Sequence, residues 1–163
     1  MIDSVDIIRT LRTLLKSNFN NKKIMQKDIK TPETACFYIR YVTGKDNQSA
    51  TEYFTDKSSY EIVYFAEDEN DTELNTIKDK LKRILRKPLK VFLYDEENKE
   101  ITNEFQLVNI NNLSININEN DYFLTCLLDI ELTEQDLNND SSALDDDFTN
   151  NEIMEDLIIN KGD

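Results

Sequence analysis

Apolar positions change their period along this chain, and the changes mark its elements. Over 70–85, Leu74, Ile77, Leu81, Ile84 and Leu85 recur at three- and four-residue steps and form one stripe of a helix. Lys80, Arg83, Arg86 and Lys87 fall mostly on the opposite side. Acids come early and bases late, which suits the helix dipole. Asn70 or Asp71 is the predicted cap, and Pro88 stops the helix by removing an N–H. Leu89-Lys90-Val91-Phe92-Leu93-Tyr94 then reads as a strand. An earlier helix is predicted over Ser4–Asn18, where Ile7, Ile8, Leu11, Leu14 and Leu15 make a broad apolar face capped by Asp3 or Ser4. Arg9, Arg12 and Lys16 stand opposite as a basic triplet, expected to be solvated.

The other segments carry strand periods. Ile24–Ile29 is a short candidate, broken by the Pro-containing Thr31–Thr34. Cys36–Val42 and Ser59–Phe65 are dense in aromatic and β-branched residues. Gly44–Asn47 reads as a turn or loop, and Thr51–Phe54 as a strand that either pairs with 59–65 or forms one bent ribbon with it. Both strong strands carry large apolar groups on both faces, a hint of a contact surface beyond the helices. Glu96–Glu100 is a charged turn, followed by strands at Phe105–Leu107 and Leu113–Ile117. Tyr122–Leu132 is the longest strand, with Tyr, Leu, Cys, Leu, Ile and Leu at its even positions. It is expected inside the sheet with that face on the helices. The predicted class is α+β: an antiparallel or mixed sheet with two amphipathic helices on one face, in a domain spanning 1–133.

Charge separates the remainder. Of 33 acids and 19 bases, ten acids and one lysine fall in 134–163, a net of −9 there and −5 elsewhere. The body is only mildly acidic, which argues against tight nucleic-acid binding, since that depends on neutralising phosphates. Residues 134–163 form an acidic C-terminal extension too poor in apolar residues to fold alone. Near its end, Ile153, Met154, Leu157 and Ile158 have helical spacing and are the candidate partner-binding residues, docking onto the domain, a sister subunit or a partner. No apolar run is long enough to cross a bilayer and no signal-peptide pattern opens the chain, so no membrane partner is expected. Cys36 and Cys126 sit in apolar strand patterns and are predicted as buried free thiols, which suits an intracellular protein.

Chemistry-bearing motifs are missing. There is no His, so Ser–His and Cys–His nucleophiles, His-ligated metals and the usual proton shuttle are excluded. Two glycines, Gly44 and Gly162, cannot make a phosphate-cradling loop. Asp95, Glu97 and Lys99 have the spacing of an acidic metal site but read as a solvated turn. Asp140 and Asp145–Asp147 lack the EF-hand spacing and read as loose counterion binders. No catalytic, cofactor-binding or metal-binding residue is assigned; no cofactor and no enzyme activity are expected.

Three stretches carry a resemblance: Ile7-Ile8-Arg9-Thr10-Leu11; Ala35-Cys36-Phe37-Tyr38-Ile39 after a Pro-containing loop; and Tyr53 followed by Lys57–Phe65. Over roughly residues 3–132 the chain resembles the tail terminator proteins of phage and prophage tails from Gram-positive bacteria and of contractile, tail-like bacteriocins. The resemblance implies an α/β sandwich that assembles into a hexameric ring on the last layer of a tail tube and stops tube and sheath growth. It implies as partners further copies of the chain, a tube protein, a sheath protein and, in phages, the head connector. It also implies a place in the bacterial cytoplasm during assembly and then in the released particle. A connector-adaptor or head-completion protein is the alternative within the same class. An acidic DNA-mimic inhibitor is the alternative outside it, but it would need its acids spread over the folded body.

Overall fold

Striped helices and alternating strands meet in one apolar layer. The computed structural model describes residues 2–25, 33–50, 53–67, 69 and 71–135, with only the backbone course for 43–50, 53–54 and 133–135. The elements in chain order are α1 Ser4–Asn18, β1 Lys23–Met25, β2 Cys36–Ala50, β3 Tyr53–Phe65, α2 Asp71–Leu85, β4 Leu89–Asp95, β5 Glu100–Val108, β6 Ile110–Asn118 and β7 Phe123–Gln135. Two compact units result, the first formed by Met1–Asp46 with Asp56–Leu132. The first holds both helices and the core. The second comprises, among the described residues, the end of β2, the start of β3 and the end of β7.

Helix α1 begins where the sequence placed it. The Asp6 N–H donates to Asp3 Oδ1 at 2.8 Å and the Asp3 N–H donates to Asp6 Oδ2 at 3.2 Å, a reciprocal box that satisfies two otherwise orphaned donors. Ile7, Leu11 and Leu15 are buried, as are Leu74, Ile77, Leu81 and Leu85 of α2. One residue of the supposed polar side departs from the pattern. Lys80 donates to the carbonyl oxygen of Asn18 and lies 4.8 Å from the Phe19 ring centroid. It thus joins α2 to the carbonyl-rich end of α1, where a cation is favoured.

Five strands form a mixed sheet in the order β1-β2-β3-β7-β6, with β1 and β2 parallel and β6 and β7 antiparallel. Strands β4 and β5 make a separate two-stranded antiparallel ribbon. The strand after α2 therefore does not enter the main sheet. Two further boundaries move. Gly44–Asn47, expected as a turn, lies within β2, and Tyr53 and Phe54 of the segment expected at 51–54 join 59–65 in one strand, while the rest of that segment lies outside the described residues. Pairing with a neighbour extends a strand past the part that rests on a core, and apolar alternation marks only that part. The candidate strand at 24–29 is described as Lys23–Met25; the rest of it, like Asn70, lies outside the described residues.

Among the described residues, the inward side chains of the sheet share one core with both helices. Phe37 and Ile39 of β2, Tyr60, Ile62 and Tyr64 of β3, and Leu124, Cys126, Leu128 and Ile130 of β7 are buried there. The even positions of β7 face the helices as predicted. Opposite them, Cys36, Tyr38 and Val63 form a small second cluster with Met25, Phe65 and Phe123 against it. The apolar outer face of β2 and β3 thus buries much of its own surface: Tyr38 meets Phe65 edge-on at 5.6 Å, and Phe65 meets Phe123 at 5.7 Å. The two cysteines belong to different clusters and are free and buried; burial pushes the Cys126 thiol up to about 12.

One polar contact crosses the layer. Glu73 of α2 accepts hydrogen bonds from Lys22 Nζ at 2.7 Å and from the Tyr64 hydroxyl of β3. Burial opposes ionisation of Glu73, but these two donors outweigh it and hold the carboxyl below its ordinary value. Burial, helped by the Glu73 contact, pushes the Tyr64 hydroxyl up to about 12. A carboxyl depressed in the folded state adds stability that is complete above its unfolded value of about 4.3 and is lost as pH falls through the lower folded value. Glu73→Gln is expected to cost roughly 1.5–3 kcal/mol at pH 7, the range for hydrogen bonds to a charged group. Denaturant titrations at pH 7 and at pH 3 should show a smaller gap between variant and parent in acid.

Candidate assembly surfaces

The β4–β5 ribbon packs one side on the body and presents the other. Leu89 and Val91 point inward with Val108, and β4 runs against α1. Their neighbours alternate outward: Lys90 opposite Leu107, Phe92 opposite Phe105, and Tyr94 opposite Ile101. Nine large apolar side chains are exposed among the described residues, and five of them (Phe92, Tyr94, Ile101, Phe105 and Leu107) share this face. Leu107 is 65% exposed and Ile101 54%. Scattered surface apolar residues are ordinary, but a contiguous set marks a contact surface. Among the described residues β4 and β5 pair only with each other, so no further strand extends either edge of the ribbon.

The ribbon face is held in shape by its own contacts. Phe92 and Phe105 rings lie 5.8 Å apart, and the Lys90 ammonium sits 4.0 Å from the Phe105 centroid and 4.9 Å from that of Phe92. Arg9 of α1, paired with Asp6 at 2.9 Å, places its guanidinium 5.2 Å from the Tyr94 centroid. The supposedly solvated triplet of α1 thus gives Arg9 to the ribbon, while Arg12 and Lys16 are exposed.

Beside the ribbon, α1, the end of α2 and β4 enclose an open groove of about 740 Å³. Leu14, Ile84, Leu89, Phe92 and Ile101 line it, and Arg9, Arg83, Lys87 and Lys90 stand among its walls. Within the described residues no acid forms an ion pair with Arg83, Lys87 or Lys90. An apolar floor with cations not neutralised by carboxylates matches a ligand that is itself apolar on one side and acidic on the other.

The acidic turn takes no part in either surface. Asp95 accepts from the N–H groups of Glu97 at 2.9 Å and Asn98 at 3.1 Å, and from Asn98 Nδ2 at 2.7 Å. These bonds, those from Asn98 first, hold its carboxyl below the ordinary range. The Asp95 oxygens thus fold the turn, in which Lys99 enters the left-handed region at φ 55°. No cluster of three potential metal ligands occurs among the described residues. Ile153, Met154, Leu157 and Ile158, with Asp140 and Asp145–Asp147, lie outside the described residues.

The pattern of 36–42 and 59–65 hints at a contact surface there, but the larger exposed apolar face is on the ribbon. The signal was present: Leu89–Tyr94 has large apolar residues on both alternating faces, which one helix cannot cover. What was missing was the pairing partner that sets Ile101, Phe105 and Leu107 beside Phe92 and Tyr94.

The sequence model for the family described as phage tail terminator protein matches residues 6–142 of the chain. A search of curated proteins found no match.

Leu107→Ser should change stability by no more than about 0.5 kcal/mol, because the side chain is already largely in water. Binding of a hydrophobic-surface dye to the native protein should fall. A large loss of stability would mean that the ribbon face is packed.

Proposed function

Since the chain belongs to the phage tail terminator protein family, and is thereby a structural component of a phage tail, we propose that it forms a ring on the last layer of a contractile tail and stops tube and sheath growth there. The ring is hexameric, assembled from copies of the chain in the bacterial cytoplasm, and remains with the finished tail or tail-like particle. Its partners are the tube protein, the sheath protein and, where a head is present, the head connector.

The observation that carries this reading, beside family membership, is the exposed apolar face of the β4–β5 ribbon. Identical subunits close a ring when one patch meets a different patch on the next copy and the rotation returns to its start. A ribbon anchored on one side to α1 and apolar on the other supplies such a patch. A cap must also lack whatever a further layer would grip, so the second side of the ring carries no copy of the tube interface. A mildly acidic body would keep passing DNA from adhering.

Negative-stain images of the purified protein mixed with tail tubes test this. A ring is expected at the tube end away from the baseplate, and particles lacking the protein should carry tubes of uneven length. Tails of uniform length in its absence would overturn the reading. A ring found on head portals and absent from tubes would favour the connector role.

A further inference from the structure

The groove beside the ribbon and the end of the chain have complementary chemistry. The groove offers Leu14, Ile84 and Ile101 with Arg83, Lys87 and Lys90, whose charges meet no carboxylate in an ion pair among the described residues. In helical spacing, Ile153, Met154, Leu157 and Ile158 fall on one stripe, and Glu152, Glu155 and Asp156 flank it. Few other stretches of this chain combine both properties in eight residues. We infer that the groove of one subunit receives residues 152–159 of a neighbouring copy, apolar stripe down and acids against the basic walls.

Three considerations favour a neighbour. Residues 136–151, beyond the end of β7, can extend to roughly 55 Å, enough to leave one small subunit and reach the next. Copies each carrying a formal −14 repel one another, and bringing acidic residues to a basic groove turns part of that repulsion into attraction. Groove and segment are also different patches of one chain, so their pairing between copies is head-to-tail, the kind of contact that closes rings. This last point rests on the ring reading above; the match of chemistry does not.

Two full-length variants test it, Lys87→Cys in one and Glu155→Cys in the other. The native thiols are buried and do not compete. Mixed under mild oxidation, the two should give a disulfide-linked heterodimer on a non-reducing gel. The product should be lost when the second variant also carries Leu157→Asp. It should also weaken with salt. As an independent measure, a labelled peptide of residues 148–161 should bind the intact chain, and binding should be lost in Arg83→Glu/Lys87→Glu and regained with a peptide carrying Glu155→Lys/Asp156→Lys. Failure of both assays overturns the inference, as does a chain carrying both cysteines that links only within itself. Sedimentation of the unmodified protein separates the two ideas. Rings without the cross-link discard the groove assignment alone, and cross-linked chains without rings discard the ring and keep the groove.

Discussion

The sheet has one face that must be dry, and two helices to dry it. Leu124, Cys126, Leu128 and Ile130 of β7 sit at the centre of this constraint, because β7 lies between β3 and β6. A slip of one residue would turn Thr125, Asp129 and Glu131 toward the helices, so the register is fixed by the cost of burying them. Each buried aliphatic side chain contributes on the order of 1.5–3 kcal/mol, and truncating one to Ala in such a layer typically costs about 2–5 kcal/mol. The Lys22–Tyr64–Glu73 contact and the Lys80–Asn18 contact add orientation, fastening α2 to the sheet and to α1.

Once both helices are committed to that face, little is left to cover the ribbon. A two-stranded ribbon is marginal by itself and needs support on one side, which α1 supplies. Its other side stays exposed with five large apolar residues. Exposure at that level is costly for a subunit that stays alone and useful for one that assembles. The groove arises from the same arrangement, since α1, α2 and β4 converge there with their bases turned outward. Both surfaces therefore follow from how the core was satisfied.

Among the described residues, the Asp95 oxygens close a turn, and the two thiols lie in separate apolar clusters. Family membership makes the chain a component of a phage tail.

Much of the fold was legible in the chain because its signals are local. The stripes of Ile7, Leu11 and Leu15 and of Leu74, Ile77 and Leu81, the cap at Asp3, the stop at Pro88 and the alternation of β7 each depend on residues a few positions apart. The α+β class and the one-sided helices follow from them. Tertiary structure alone decided which strands pair. It took β4 out of the main sheet, set Phe105 beside Phe92, carried β2 through Gly44–Asn47, closed the outer aromatic cluster around Tyr38 and Phe65, and drew Lys80 and Arg9 from solvent into contacts. These outcomes depend on groups distant in sequence meeting in space, and a periodic pattern records which face of an element is apolar without recording what will cover it.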